Sequence, residues 1–322
     1  MPRLNAILFL SLAISSAPAF GQGAGQAFPG TVNYVEGTAT LNGRALSTTS
    51  VGKAVLKPGQ FLQTEQGRAE ILLTPGIFLR LDNHSAVMMV SPDLTHTEVE
   101  IDRGRAEVEV DQIFKQNYVL IDQKNAGTQL LQPGLYEFDA NAQTMRVFNG
   151  KAAVFAGTGA RAGEQPEHQR AVVVKGGHEL AVSGELGKPV HFDKDDAQQA
   201  DTLYRWSSLR SQYLGESNLE LASQYAGQPG FAPGWFWDPY SYGYTWLPGD
   251  GLFWNPFGFG FYSPYYIWGG GFIYGRGYHG GYGYHGGYGY RGGYGYRGGY
   301  GHASSGFSGG GGFHGGGGGG HR

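Results

Sequence analysis

Thirteen residues, EVEIDRGRAEVEV at positions 98–110, carry Glu98, Glu100, Glu107 and Glu109 two apart on either side of Arg103-Gly104. Read as a hairpin with a two-residue loop at Arg103-Gly104, the stretch puts Val99, Ile101, Ala106 and Val108 on one face. Glu100 then stands across from Glu107 and Glu98 across from Glu109. Directly opposed like charges destabilise a strand pair. Such carboxylates therefore form a solvated or charged sheet edge, meet a basic neighbour such as the strands bearing Arg68 or Arg80 or a basic partner protein, or hold a hard cation such as calcium.

Two further groups of residues bear on chemistry. Trp235, Trp237, Trp246, Trp254 and Trp268 lie within a run of aromatics, and their rings would stack on flat sugar faces or on a partner protein if exposed. His279, His285, His302, His314 and His321 are spaced by flexible Gly, which allows only weak, loose binding of soft metals. No arrangement argues for catalysis: there is no Cys, no Gly-x-Ser-x-Gly elbow, no His-Glu-x-x-His and no phosphate-binding Gly loop, the Gly-rich words being repeats rather than strand-to-helix turns. His84, His96, His168, His178 and His191 are scattered, and His178 reads as a strand residue. The expectation is a non-enzymatic protein with no catalytic, cofactor-binding or dedicated metal residue.

Between Thr31 and Val190 the chain alternates apolar and polar residues in short runs broken by Gly, Pro, Asn and Asp, as in Ile77, Leu79 and Leu81 or Val99 and Ile101. Period two over many short segments predicts an antiparallel all-β domain. A small word recurs at Gly37-Thr38-Ala39, Gly67-Arg68-Ala69, Gly104-Arg105-Ala106 and Gly150-Lys151-Ala152. It predicts a turn at each Gly, followed by a strand whose inward residues are two apart. Lys57-Pro58-Gly59-Gln60-Phe61-Leu62 is echoed by Lys175-Gly176-Gly177-His178-Glu179-Leu180. The echoes reflect either duplication or shared turn geometry.

Several of these words together resemble the FecR domain. The steps are Gly59-Gln60-Phe61-Leu62-Gln63-Thr64, then Ala69-Glu70-Ile71-Leu72, Gly76-Ile77-Phe78-Leu79-Arg80-Leu81 and Ile101-Asp102-Arg103-Gly104-Arg105-Ala106. The resemblance covers residues 31 to 185 and rests on core and turn residues. It implies a β domain, a sandwich, roll or solenoid-like form, at 31–190. In that family the domain sits in the periplasm and relays the state of an outer-membrane siderophore transporter to a sigma factor. Here a signal peptide stands where the family has a cytoplasmic segment and a membrane span, so what carries over is an exported β-rich interaction module.

A helical segment is expected at 193–226. Asp193 caps a helix from Lys194 to Tyr213 whose stripe is Leu203, Trp206, Leu209 and Tyr213. Gly215 ends it, and Ser217 with Glu220 form a capping box for a second helix to Tyr225. The aromatic and Pro-rich belt spans 234–268, as short strands packed on the β domain or as an exposed binding surface.

The termini set the compartment. Arg3, the apolar run Ala6 to Ile14 and Ala17-Pro18-Ala19 read as a secretory signal peptide over 1–21, cleaved after Ala19 or Gly21, with 22–30 as a linker. No run is long enough to span a membrane. The tail at 269–322, rich in Gly, Tyr, His and Arg, reads as disordered. Its Arg and Tyr suit single-stranded nucleic acid, but export removes that partner. The 322-residue chain, with net charge −3, is expected in the periplasm or at the cell surface. Its partner is an envelope protein or a cell-wall or extracellular polysaccharide. The competing reading is an adhesive matrix protein in which belt and tail carry the binding.

Overall fold

The structure, a computed structural model, describes residues 26–157 and 171–270. The expected signal peptide, residues 22–25 of the expected linker and nearly all of the tail lie outside the described residues. The alternating runs form strands β1 Val32–Leu41, β2 Arg44–Ala45, β3 Phe61–Leu72, β4 Ile77–Leu81, β5 Ala86–Pro92, β6 His96–Arg103, β7 Arg105–Val110 and β8 Tyr118–Gln123. They continue with β9 Ala126–Leu130, β10 Gly134–Asp139, β11 Thr144–Asn149, β12 Lys151–Ala156, β13 Val172–Lys175, β14 His178–Ala181 and β15 Val190–His191.

These strands make one sheet in the order β13-β12-β9-β8-β6-β5-β3-β4-β7-β10-β11-β14-β15, with β1 paired to β3 and β2 to β1. The pairs are antiparallel except β6 with β8. The fold is all-β, as the period-two pattern predicts. On one side β3 has two successive neighbours, β5 at Phe61–Gln63 and β4 at Ala69–Leu72. The sheet therefore bends at β3, and its halves face each other over a shared core. Val87, Val99 and Ile121 enter that core from one half, and Leu79, Val108, Phe138 and Val147 from the other. Each such side chain taken out of water contributes about 1.5–3 kcal/mol before entropy is set against it.

The expected hairpin at 98–110 does not form. β6 pairs with β5 and β8, whereas β7 pairs with β4 and β10. Gly104 alone carries the chain from one half of the sheet to the other, at φ +73. A Cβ there would overlap Ser85 Oγ and lie 2.6 Å from Ser85 Cα. Val99, Ile101, Ala106 and Val108 do share one core, but they reach it from opposite layers. Gly150 makes the same kind of corner between β11 and β12.

Gly37 and Gly67 are not turns. They face each other within β1 and β3, where a Cβ on either would overlap the partner strand's backbone. The repeated Gly words thus mark two layer corners and one close strand crossing.

Asp193 caps α1, Lys194–Ala200, accepting from the backbone N–H of Asp195 at 2.9 Å and of Asp196 at 3.2 Å. The chain then breaks at Asp201, not at Gly215. Asp201 adopts an extended conformation and caps α2, Thr202–Tyr225. α2 runs through Gly215 and Ser217, so the expected capping box is absent. Gly215 is selected by packing: a Cβ there would sit 3.3 Å from Phe259 Cβ and 3.4 Å from the Gly260 carbonyl oxygen.

The face that α2 buries also differs from the expected stripe. Leu203 and Trp206 are buried, but Leu209 and Tyr213 are exposed, and Ser207, Arg210, Ser211 and Asn218 take the buried positions. The belt completes the cover with β16 Gly234–Asp238, β17 Gly243–Leu247, β18 Leu252–Trp254, β19 Gly260–Tyr262 and α3 Pro264–Trp268. Two antiparallel hairpins, β16–β17 and β18–β19, pack Tyr244, Trp246 and Phe261 against Leu72 and Phe78 of the sheet and Leu214 of α2.

Candidate functional site

The sheet surface beneath α2 is charged. Strand register sets Glu70 opposite Arg80, Arg80 opposite Glu107, Glu107 opposite Glu137, Glu137 opposite Arg146 and Arg146 opposite Glu179. This is a cross-strand row over β3, β4, β7, β10, β11 and β14, and its first four members are buried. Burying charge costs free energy unless each charge is paired and hydrogen-bonded.

At one end Glu70 and Glu109 are fully paired, whereas the neighbouring Asp111 has no such partners, and burial and then the Glu109 charge push it well above its ordinary value. Arg80 donates from Nε to Glu70 at 2.7 Å and from Nη1 to Glu109 at 2.5 Å. Arg210 Nη2 and Asn33 Nδ2 donate to the other Glu70 oxygen at 3.0 and 2.9 Å. Ser211 and Asn255, the latter at 2.8 Å, donate to Glu109. Burial alone would raise the Glu70 carboxyl. The Arg210 and Arg80 charges and hydrogen bonds outweigh it and hold the group at about 2. Strand, helix and belt thus close on one pair of carboxylates.

At the other end negative charge is in excess. Glu107, Glu137 and Asp201 bring carboxylate oxygens within 4.8 Å of one another. Neither Glu107 oxygen makes a hydrogen bond of standard geometry, although Ser207 lies near enough to oppose its rise in pKa. Burial chiefly, and then the Glu137 charge, push Glu107 well above its ordinary value. Glu137 rises to about 7, through burial and the hydrogen bond shared with Asp201, against the pull of Arg105 and Arg146. Burial also acts to raise Asp201, but the Glu137 hydrogen bond and Arg105 bring it below its ordinary value. The pair therefore takes up a proton more readily than two isolated carboxyls would, with Glu137 raised and Asp201 lowered.

Among the described residues these three are the acidic group arranged to surround a cation. Arg105 bonds both Asp201 and, at 3.2 Å, Glu137, and Arg146 Nη1 lies 3.3 Å from Glu137, so guanidinium groups already supply positive charge there. Asp201 is also the cap of α2, accepting from Leu203 N at 2.8 Å. The start of the helix is thereby tied to the proton-sharing pair.

The four carboxylates expected on one face are divided. Glu107 and Glu109 lie buried under α2, which overturns the solvated-face reading for them, and Arg80 is the basic neighbour that Glu109 meets. Glu98 and Glu100 belong to the other half of the sheet. Glu98 is buried beside His96 Nε2 at 3.1 Å. Glu100 is half-buried, its pKa raised by burial and then by Asp102 and Glu98. The tryptophans are divided too. Trp246 is core and touches Phe253 and Phe261, so it presents no binding face. Trp235 meets Phe78 edge-on at 5.0 Å, and Trp237 meets Tyr242 and Tyr244 at 5.1 and 5.2 Å. Trp254 and Trp268 point outward, 64% and 70% exposed.

A cleft that no sequence pattern announced lies where the belt meets β1. Its volume is about 340 Å³, and Tyr34, Val35, Thr48, Thr49, Val51, Ser241 and Tyr242 line it. The Arg210 guanidinium stands 4.1 Å from the Tyr34 ring centroid, behind the cleft, and links it to the buried charges.

No protein-family description matches this chain, and no curated protein sequence matches it. Among solved structures, two crystal structures of a candidate anti-sigma factor from Parabacteroides distasonis ATCC 8503, at 2.50 and 1.65 Å, are similar to it. Each is 14% identical, with a TM-score of 0.33 over 43% of this chain and 62% of the other. This chain spans less than two thirds of their length, and a likeness at that level carries no functional argument. Among the described residues, no helix is long and apolar enough to cross a membrane.

Proposed function

We propose that the protein is an exported, non-enzymatic, FecR-like interaction or sensing module of the cell envelope that binds a protein or polysaccharide partner. The observation that carries this is the division of labour within the belt. Its inner rings Tyr244, Trp246 and Phe261 seal the β domain, while Tyr240, Tyr242, Trp254, Tyr265 and Trp268 are left facing solvent. Outward aromatics held on a rigid scaffold mark recognition surfaces. Glu107 and Glu109 lie sealed beneath helix and belt, out of reach of a substrate, which supports a structural role for them. The words at the strand steps support the FecR-like assignment, and Arg3 with Ala6–Ile14 and Ala17-Pro18-Ala19 support export.

Sedimentation with isolated cell walls and outer-membrane fragments tests this reading, using mature protein (22–322) and a form ending at Gly277. Both forms pelleting is the expected result. Pelleting of the full-length form alone would move the affinity to the tail and favour an adhesive protein. If neither pellets, the envelope reading fails.

A further inference from the structure

The cleft at the belt–β1 junction has the chemistry of a sugar site. Two tyrosines, Tyr34 and Tyr242, and three hydroxyl residues, Thr48, Thr49 and Ser241, are among the residues that line it, with the Thr49 hydroxyl also 2.8 Å from Ser47 Oγ. No charged side chain lines it. A pyranose offers a flat C–H face, which packs on an aromatic ring, and hydroxyls at its edge, which exchange hydrogen bonds with side-chain hydroxyls. A charged glycan or a charged peptide would bury its charge there without a partner. The volume of about 340 Å³ falls within the range of small-molecule sites.

The site is also built rather than incidental. Arg210 backs the Tyr34 ring at 4.1 Å, and Trp206 flanks that ring at 6.1 Å. Trp237 supports Tyr242 edge-on at 5.1 Å. Tyr242 itself is held at φ +53, a left-handed conformation costly for an aromatic residue, although Gly243 stands next to it. Strain of that kind persists where the surroundings over-determine it, and it gathers at ligand clamps. The clamp needs both parts of the molecule: β1 and the turn after it supply one wall, and the β16–β17 turn the other.

We infer that this cleft binds one neutral sugar residue of a glycan, Tyr34 and Tyr242 contacting its ring and Thr48, Thr49 and Ser241 its hydroxyls. The inference rests on the envelope-binding reading and names the ligand class of its polysaccharide branch.

The test is calorimetric titration of the mature full-length chain with cellohexaose and with maltohexaose as neutral probes. Binding of at least one is expected. Tyr242→Gly should weaken it at least about tenfold. It should leave the melting temperature unchanged or higher, because Gly tolerates positive φ. Thr49→Val should weaken binding several-fold, and Trp254→Ala, outside the cleft, should not change it. Failure of both probes to bind, or wild-type affinity in Tyr242→Gly, would overturn the inference. Sedimentation with cell walls that persists without sugar binding sinks the cleft assignment alone; sugar binding without sedimentation sinks the envelope reading alone.

Discussion

Burial pushes the carboxyls of Glu107 and Glu137 above their ordinary values, and that has a definite consequence for stability. Each binds its proton more tightly in the folded than in the unfolded chain. Its contribution is complete below the ordinary value of 4.5 and is lost as pH rises towards about 7 for Glu137. Glu70 acts in the opposite sense, since its carboxyl is held at about 2 and its contribution is lost only as pH falls from 4.5 towards that value. Chemical denaturation should therefore show stability falling between pH 4.5 and 7. Glu137→Gln should flatten that fall, and an unchanged slope would show that the proton lies elsewhere. Arg80 carries a different prediction. Replacing it with Met strands Glu70 and Glu109 without their shared partner in a buried site, at a cost of about 3–5 kcal/mol. A loss below about 1 kcal/mol would mean that Arg210, Asn33, Ser211 and Asn255 suffice. Arg80 was among the basic neighbours the sequence offered these carboxylates, but which of them would be buried was not legible in EVEIDRGRAEVEV, because a Glu on the polar side of a strand looks the same whether water or a helix covers it.

At the scale of elements, the corner at Gly104 and the face of α2 are where pattern and packing part company. Period two reports which side chains point inward and is silent on which strand lies alongside. A hairpin and a layer crossing satisfy it equally. Gly104→Ala should be severely destabilising, by more than the roughly 1–2 kcal/mol of a non-Gly residue in the left-handed region, because its Cβ also meets Ser85. Glu137→Gln and Gly104→Ala should both fold less well than wild type at pH 5, but only the second should do so equally at pH 8. The α2 stripe failed for a related reason. An apolar stripe is the right expectation for a helix on an apolar sheet face, whereas this sheet face carries Glu70, Arg80, Glu107 and Glu137. Ser207, Arg210, Ser211 and Asn218 complement it. Asp193 was legible as a cap because capping is local, a side chain bonding the backbone two and three residues on.

For the whole molecule, belt and β domain share their buried groups. Asn33 of β1 donates to the Tyr244 carbonyl oxygen and accepts from the Tyr244 N–H, and Asn255 reaches Glu109. A chain ending at Gln228 would therefore open Leu72, Phe78 and Glu109 to water. It should melt well below the full protein and bind a hydrophobic dye, whereas a chain ending at Gly277 should melt with it. Equal melting of the Gln228 form would show that the belt is an appendage.

What the residues determined unaided was the class of structure: strands from period two, turns at Gly104 and Gly150, and a helix start from Asp193. Each depends on neighbours within a few positions, and such neighbours are printed in order. The partners of Glu70, Glu109 and Glu137, the passage of α2 through Gly215, the sorting of the tryptophans into core and surface, and the Tyr34–Tyr242 cleft were decided by tertiary structure alone. Each joins residues tens to hundreds of positions apart. In a buried polar layer, the chemistry of a side chain is set by the groups brought opposite it.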